Sequence, residues 1–248
     1  MPTDLLFYLT AIPAILITGI SKGGFGGGLG MVAVPLMALA IAPVQAAAIM
    51  LPILCLMDLF ALWHFRGHAD WRHLRILLPA AVVGIGFGTL GFHYLNDSQL
   101  KLLIGAIALG FVFYQLARRQ QTASPEASLV GGSFWGTVAG FTSFGIHAGG
   151  PPLNIYLLPR KLPKAVFAAT TIVFFTTVNQ VKLVPYFWLG QFNTDNLSTS
   201  ALLAPLAPLG IWLGRWLHDR ISDRWFYRSC YVLLTITGIK LVWDGLIG

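Results

Sequence analysis

The chain has 248 residues, 56% hydrophobic and 10% charged, against about 25% charged in a soluble domain, so composition excludes an ordinary soluble protein and points to a polytopic membrane one. Sixteen Lys+Arg against nine Asp+Glu leave a net charge of +7, but no basic stripe with interleaved aromatics accompanies it, which argues against a nucleic-acid partner and leaves membrane topology as the meaning of the charge. Cys55 and Cys230 lie in apolar runs without a CxxC partner, so no disulfide framework, metal site or cofactor is expected.

In chain order the apolar runs cover 5–21, 29–42, 44–65, 74–94, 99–117, 129–146, 148–159, 164–189, 197–217 and 226–247. A helix needs about 20 residues to cross a bilayer, and six of these runs are long enough. The other four form two pairs, 5–21 with 29–42 and 129–146 with 148–159. The first pair is split by Gly19–Gly30, in which seven of twelve residues are glycine, and the second by Gly140–Pro152. Neither stretch has the Gly-Lys-Ser/Thr ending of a phosphate-binding P-loop or the strand–turn–helix context of a dinucleotide loop. Five glycines in Gly23–Gly28 predict an unwound backbone inside the membrane, where loose N–H groups and one ammonium can hold a polar solute.

The halves repeat. A shift of 121 places Gly19 on Gly140, Gly24 on Gly145, Gly28 on Gly149 and Asp58 on Asn179. A shift of 126 places Pro79 on Pro205, Gly84 on Gly210, Gly88 on Gly214 and Asp97 on Asp223. The expected fold is therefore an all-α polytopic membrane protein of two inverted repeats, each a glycine-broken pair of re-entrant or half-helix segments followed by three transmembrane helices. Its parts are membrane repeat 1 (1–117), a cytoplasmic linker (118–128) and membrane repeat 2 (129–248), forming one integral membrane unit. Five segments per half put twelve of the sixteen basic residues, from Arg66 to Arg228, on one face, with only Lys101 and Lys240 opposite. The positive-inside rule makes that face cytoplasmic and places both termini outside.

Two opposed breaks predict a solute site lined by Ser21, Lys22, Gly23, Gly24, Gly26, Gly27 and Gly28 from the first half. The second half would contribute Thr142, Ser143, Gly145, His147, Gly149, Gly150 and Asn154. Lys22 would neutralise a bound anion, with snorkelling to the surface as its alternative. Serine and threonine offer hydroxyls, though such side chains also bond their own helix. His147 can bind solute or relay a proton. Pro151-Pro152 reads as a helix stop. Asp58, Asn179, Gln180 and Lys182 are candidates for coupling or gating, with Asp58 a proton carrier or the counter-ion of Lys22 or Lys182. Lys182 stands about six residues from the outer end of its helix, close enough to snorkel as the alternative to such a role. Gly84-xxx-Gly88 and Gly210-xxx-Gly214 read as close helix packing.

The glycine pattern Gly19-Ile-Ser-Lys-Gly-Gly-Phe-Gly-Gly-Gly, its return at Gly140–Pro152 and the hydrophobic segments together resemble the TauE/SafE family of membrane anion exporters. The resemblance runs from Ile17 to the last helix. It implies an inner-membrane permease, bacterial or archaeal, for sulfite or a small organosulfonate such as sulfoacetate, not an enzyme. The residues alone point to a small anion as the partner, beside the lipid bilayer. The leading expectation is a secondary transporter working by alternating access, exporting its anion with or without ion or proton coupling. An anion channel of the same fold is the alternative. An intramembrane hydrolase using Ser143 and His147 at i, i+4 is the third reading, and it lacks an orienting carboxylate.

Overall fold

The computed structural model describes residues 4–24, 30–64, 69–117, 128–218, 220 and 223–247. These form helices α1 (Leu5–Gly24), α2 (Ala33–Met37, entered by a 3-10 turn at Gly30–Val32), α3 (Pro43–His64), α4 (Trp71–His93) and α5 (Asp97–Ala117). The second half supplies α6 (Leu129–Ile146), α7 (Gly150–Leu157), α8 (Lys164–Trp188), α9 (Thr194–Leu203), α10 (Leu206–His218) and α11 (Asp223–Ile247). No strand occurs among the described residues. The fold is all-α and polytopic. Among the described residues six spans are long and apolar enough to cross a membrane: Leu5–Gly23, Pro43–Leu62, Trp71–Gly91, Asp97–Tyr114, Ala165–Trp188 and Thr194–Leu217. Their outer faces carry large apolar side chains; Leu90, Phe113, Phe187 and Leu202 are all exposed. That is how a lipid-facing surface differs from the polar outer face of a water-soluble helix.

Local sequence explains most boundaries. Asp70, Ser128 and Asn193 accept hydrogen bonds from backbone N–H groups of Arg72, Gly131 and Asn196 and so cap α4, α6 and α9. The run 197–217, expected as one helix, is two. Pro205 has no N–H to give at the junction, and the chain turns there through bonds from Ala204 to Ala201 and from Ala207 to Ala204. Pro151 and Pro152 also differ from expectation, because they open α7 and do not stop a helix. In a first turn the N–H has no partner within the helix, so proline is tolerated.

The first glycine stretch is corrected in the same way. α1 runs unbroken through Ser21, Lys22, Gly23 and Gly24, so the backbone is helical three residues beyond the apolar run 5–21. Gly26, Gly27 and Gly28 lie outside the described residues. Tertiary packing outweighs glycine's poor helix propensity here. A Cβ on Gly19 would lie 2.8 Å from the Gly210 Cα, and one on Gly23 would meet the Ile211 backbone. Small residues let α1 lie parallel to and nearly touching α10, and α6 lies likewise against α4 through Gly136, Gly140, Gly84 and Gly88. The packing role read for Gly84, Gly88, Gly210 and Gly214 is the observed one.

α3 runs through the middle of the molecule, with an unbroken buried stretch from Ala46 to Leu51, and it packs on α8. α5 pairs with α11 in antiparallel fashion: Gly245 faces Ser98 and Leu102, Gly105 faces Gly238 and Val242, and Phe111 faces Tyr231. Exchanging the halves turns the α1–α10 contact into the α6–α4 contact and leaves the α3–α8 and α5–α11 contacts in place.

Replacing Gly19 by alanine should cost about 1–3 kcal/mol, because the added methyl meets backbone and not a movable side chain. Gly110→Ala, whose methyl would have nothing within 4 Å, should be neutral or stabilising by up to about 1 kcal/mol. Thermal unfolding of the two variants in detergent compares them, and equal melting temperatures would refute the packing role.

Candidate functional site

Four elements converge on one cluster. α8 carries Phe175, Asn179, Lys182 and Tyr186 at i, i+4, i+7 and i+11, which puts all four on one helical face. α3 carries Leu54 and Asp58 at i, i+4, and α1 brings Lys22 in its last turn. α6 contributes Ser143 and ends at His147, which adopts the left-handed conformation with φ of 54°. Few non-glycine residues adopt that region, and histidine is among those that do so most readily. Both ring nitrogens are bound.

Lys22 forms an ion pair with Asp58, whose carboxylate is 1% exposed. The second carboxylate oxygen accepts a hydrogen bond from the Asn179 amide at 2.6 Å. Asp58 and Asn179 are the two residues that the internal repeat aligns, and here they touch. Lys182 is completely buried, and its Nζ lies 2.9 Å from the Ser143 carbonyl oxygen, 3.1 Å from Ser143 Oγ and 2.7 Å from His147 Nδ1. His147 Nε2 is 3.0 Å from the Ala47 carbonyl. A carbonyl only accepts, so Nε2 carries the proton and Nδ1 is left as an acceptor for the lysine. All three protons of the Lys182 ammonium then have acceptors, none of them a carboxylate.

The charge is therefore unequal. Two lysines and one aspartate share this interior, a formal charge of +1 among the described residues. The cavity beside them is lined by Lys22, Ser143, His147, Gly150, Asn179 and Phe175, together with Gly30, Met31 and Leu54. Its free volume is about 20 Å³, room for one water.

The expected site residues divide as follows. Lys22, Ser143, His147, Gly150, Asp58, Asn179 and Lys182 come together. Ser21 is fully buried in α1 one residue away. Gly23 packs against α10, and Gly24 is the last residue of α1. Thr142 uses its hydroxyl on the carbonyls of Val138 and Ala148, closing the end of α6. Gly149 is taken up by close packing on Ala139 and Ser143, and Gly145 is half-buried in the last turn of α6. Asn154 lies half-buried on α7 and does not line the cavity. Gln180 is exposed on the outer face of α8, so it is removed from the site. The snorkelling alternative for Lys182 is also overturned: its helical face is that of Asn179 and Tyr186, which points inward. Phe175, Tyr186, Leu54 and the Ala47 carbonyl were not foreseen. The spacing of Phe175 and Tyr186 from Asn179 and Lys182 was a legible signal; a backbone carbonyl leaves none.

The hydrolase reading finds no support in this geometry. A serine nucleophile needs its hydroxyl to donate to the base, whereas the Lys182 ammonium lies between Ser143 Oγ and His147 Nδ1 and donates to both. No group of three or more metal-ligating side chains occurs among the described residues.

The family model described as sulfite exporter TauE/SafE matches residues 11–241. No curated protein and no solved structure matches the chain.

Asp58→Leu should destabilise the protein by about 3–5 kcal/mol, because it strands the Lys22 ammonium in a dry interior. Adding Lys22→Met to that variant should restore most of the loss. Thermal melts of the two single variants and the double variant measure the coupling; simple additivity would mean that the pair does not interact.

Proposed function

The chain belongs to the TauE/SafE sulfite exporter family of membrane transporters, and from that premise we propose that it carries a small anion, sulfite or a small organosulfonate, through the Lys22–Lys182 cluster. The observation that carries this reading is the surplus positive charge. A charged group inside a membrane is costly, and such groups mark substrate pathways. One bound monoanion balances the charge of Lys22, Lys182 and Asp58. The donors at the cavity wall suit oxyanion oxygens: the Lys22 ammonium, the Ser143 hydroxyl and the Asn179 amide, with the Lys182 ammonium behind Ser143 and His147.

Asp58 is the internal stand-in for the substrate. Its carboxylate occupies Lys22 and the Asn179 amide, the same donors that a sulfite or sulfonate oxygen would use. Anion entry displaces Asp58 from Lys22, and a proton on Asp58 eases that exchange, which is the route to proton coupling. With room for only one water, the cavity has to widen before it admits an anion. Movement of α1 against α3 and α8 would provide that opening, so the present arrangement fits the closed stage of an alternating-access cycle.

The two halves act as inverted repeats in this reading. The antiparallel pairing of α5 with α11 supports it, because five segments per half place these equivalent helices in opposite directions, whereas four would place them in the same direction. The twelve clustered basic residues put the loop after α7 and the α10–α11 junction in the cytoplasm of an inner membrane, with both termini outside.

Sulfite should raise the melting temperature of the purified protein by mass action. Lys182→Met should weaken that binding by about ten- to a hundredfold, as expected for losing charge-assisted hydrogen bonds. Lys22→Ala should act in the same direction and Lys240→Ala should not. If Lys240→Ala matches the other two, the anion does not bind at this cluster. Saturable counterflow in proteoliposomes is the expected transport behaviour, and large single-channel currents would contradict a carrier. Single cysteines at Lys161 and Arg220 should label from the cytoplasm and one at Asp195 from outside; labelling of all three from one side would disprove the inverted topology.

A further inference from the structure

α5 and α11 are close at one end and apart at the other. Gly105, Gly238 and Gly245 bring the backbones together at the end near Ser98 and Leu102. Towards the C-terminus of α5 the contacts become bulky. Phe111 and Tyr231 meet edge to face with ring centroids 6.1 Å apart and act as a wedge. Beyond the wedge a cavity of about 550 Å³ remains, walled by Val112, Leu116, Val232 and Ile236. The Thr235 hydroxyl, which also borders it, donates to the Tyr231 carbonyl at 2.7 Å, so the wall presents no hydroxyl in search of a partner. One helical turn before Val232 stands Arg228, exposed, at the cavity's rim.

The geometry points to a binding site for an anionic glycerophospholipid, with one acyl chain in the α5–α11 cavity and the phosphate on Arg228. Three observations fix the occupant's chemistry. The walls are apolar and the protein is polytopic in the membrane, so hydrocarbon is what meets them. The rim carries a guanidinium, which matches a phosphate by both charge and fork geometry. Trp225 stands one turn further out, exposed, with the Arg228 guanidinium carbon 5.6 Å from its ring, and exposed tryptophan belongs at headgroup level. Headgroup-level groups thus lie at one end and a hydrocarbon-sized cavity runs inward from them. A second copy of the chain would instead present helix side chains to a concave cavity with an arginine at its mouth. This site is separate from the Lys22–Lys182 cluster, and its occupancy does not depend on which anion is carried.

Native mass spectrometry of the purified protein titrated with phosphatidylglycerol or phosphatidylcholine tests the site. The wild type should prefer phosphatidylglycerol by about fivefold, the factor expected from one basic residue near an anionic headgroup. Arg228→Gln should remove that preference, and Val232→Trp, which fills the cavity, should lower binding of both lipids. Arg220→Gln should leave both unchanged, since that residue is exposed beside Trp216 and does not border the cavity. An unchanged melting temperature in detergent, read without added anion, establishes that each variant is folded. Retention of the preference in Arg228→Gln, or undiminished lipid binding in Val232→Trp, overturns the proposal. Disulfide formation between two copies of a Val232→Cys variant in native membranes also overturns it, by showing that the cavity is covered by another chain.

Discussion

Two ammonium groups and one carboxylate in a dry interior form the constraint on which the site depends. Lys22, Lys182 and Asp58 cannot all be satisfied by one another. Asp58 takes Lys22 and the Asn179 amide, while Lys182 is left to neutral acceptors on Ser143 and His147. Each of those acceptors is delivered by a different piece of backbone geometry. The left-handed turn at His147 ends α6 so that Nδ1 faces the lysine, and the Ala47 carbonyl on α3 fixes the ring by holding Nε2. Removing either hold would free the ring and leave the ammonium short of an acceptor.

The glycines do a different job from the one their clustering implies. Gly19 and Gly23 are helical, and they matter because α10 lies where their side chains would be. The same device joins α6 to α4. These two close contacts each join the first helix of one half to the fourth segment of the other. α1 and α6, which carry Lys22 and Ser143, are thereby held laterally while α3 and α8 meet between them at Asp58 and Asn179. Repeat-related positions face each other across that meeting: 22 with 143 and 58 with 179 differ by the same 121 residues. The chemistry at each pair is different, lysine against serine and carboxylate against amide. A symmetric scaffold thus encloses an asymmetric charge.

Much of this was legible before any coordinates. Composition and run length established the membrane class, and the shift of 121 that aligns Asp58 with Asn179 marked one pair of positions that meet. The limits of α6 were also legible, because the apolar run 129–146 is the helix that forms, whereas α7 is shorter than the run 148–159. Pro151-Pro152 opens a helix, and local sequence alone does not distinguish the end of one helix from the start of the next when only three residues separate them. Gln180 was assigned the wrong surroundings, and Lys182 allowed two, for a related reason. Two residues apart on a helix point in very different directions, and only the neighbours of α8 decide which of those directions is inside.

By itself, then, the sequence determined an all-α membrane protein with apolar runs long enough to span a bilayer, glycine-rich stretches between them and ionisable residues inside its spans. Those properties follow from hydrophobicity, charge placement and backbone preference, which are local. Tertiary structure alone decided that Asp58 pairs with Lys22, that Lys182 turns inward, and that Gly19 and Gly23 pack helices without breaking one. Each of those depends on what stands within a few ångströms across the bundle. Such neighbours, here 35 to 191 residues away along the chain, leave no mark in local sequence.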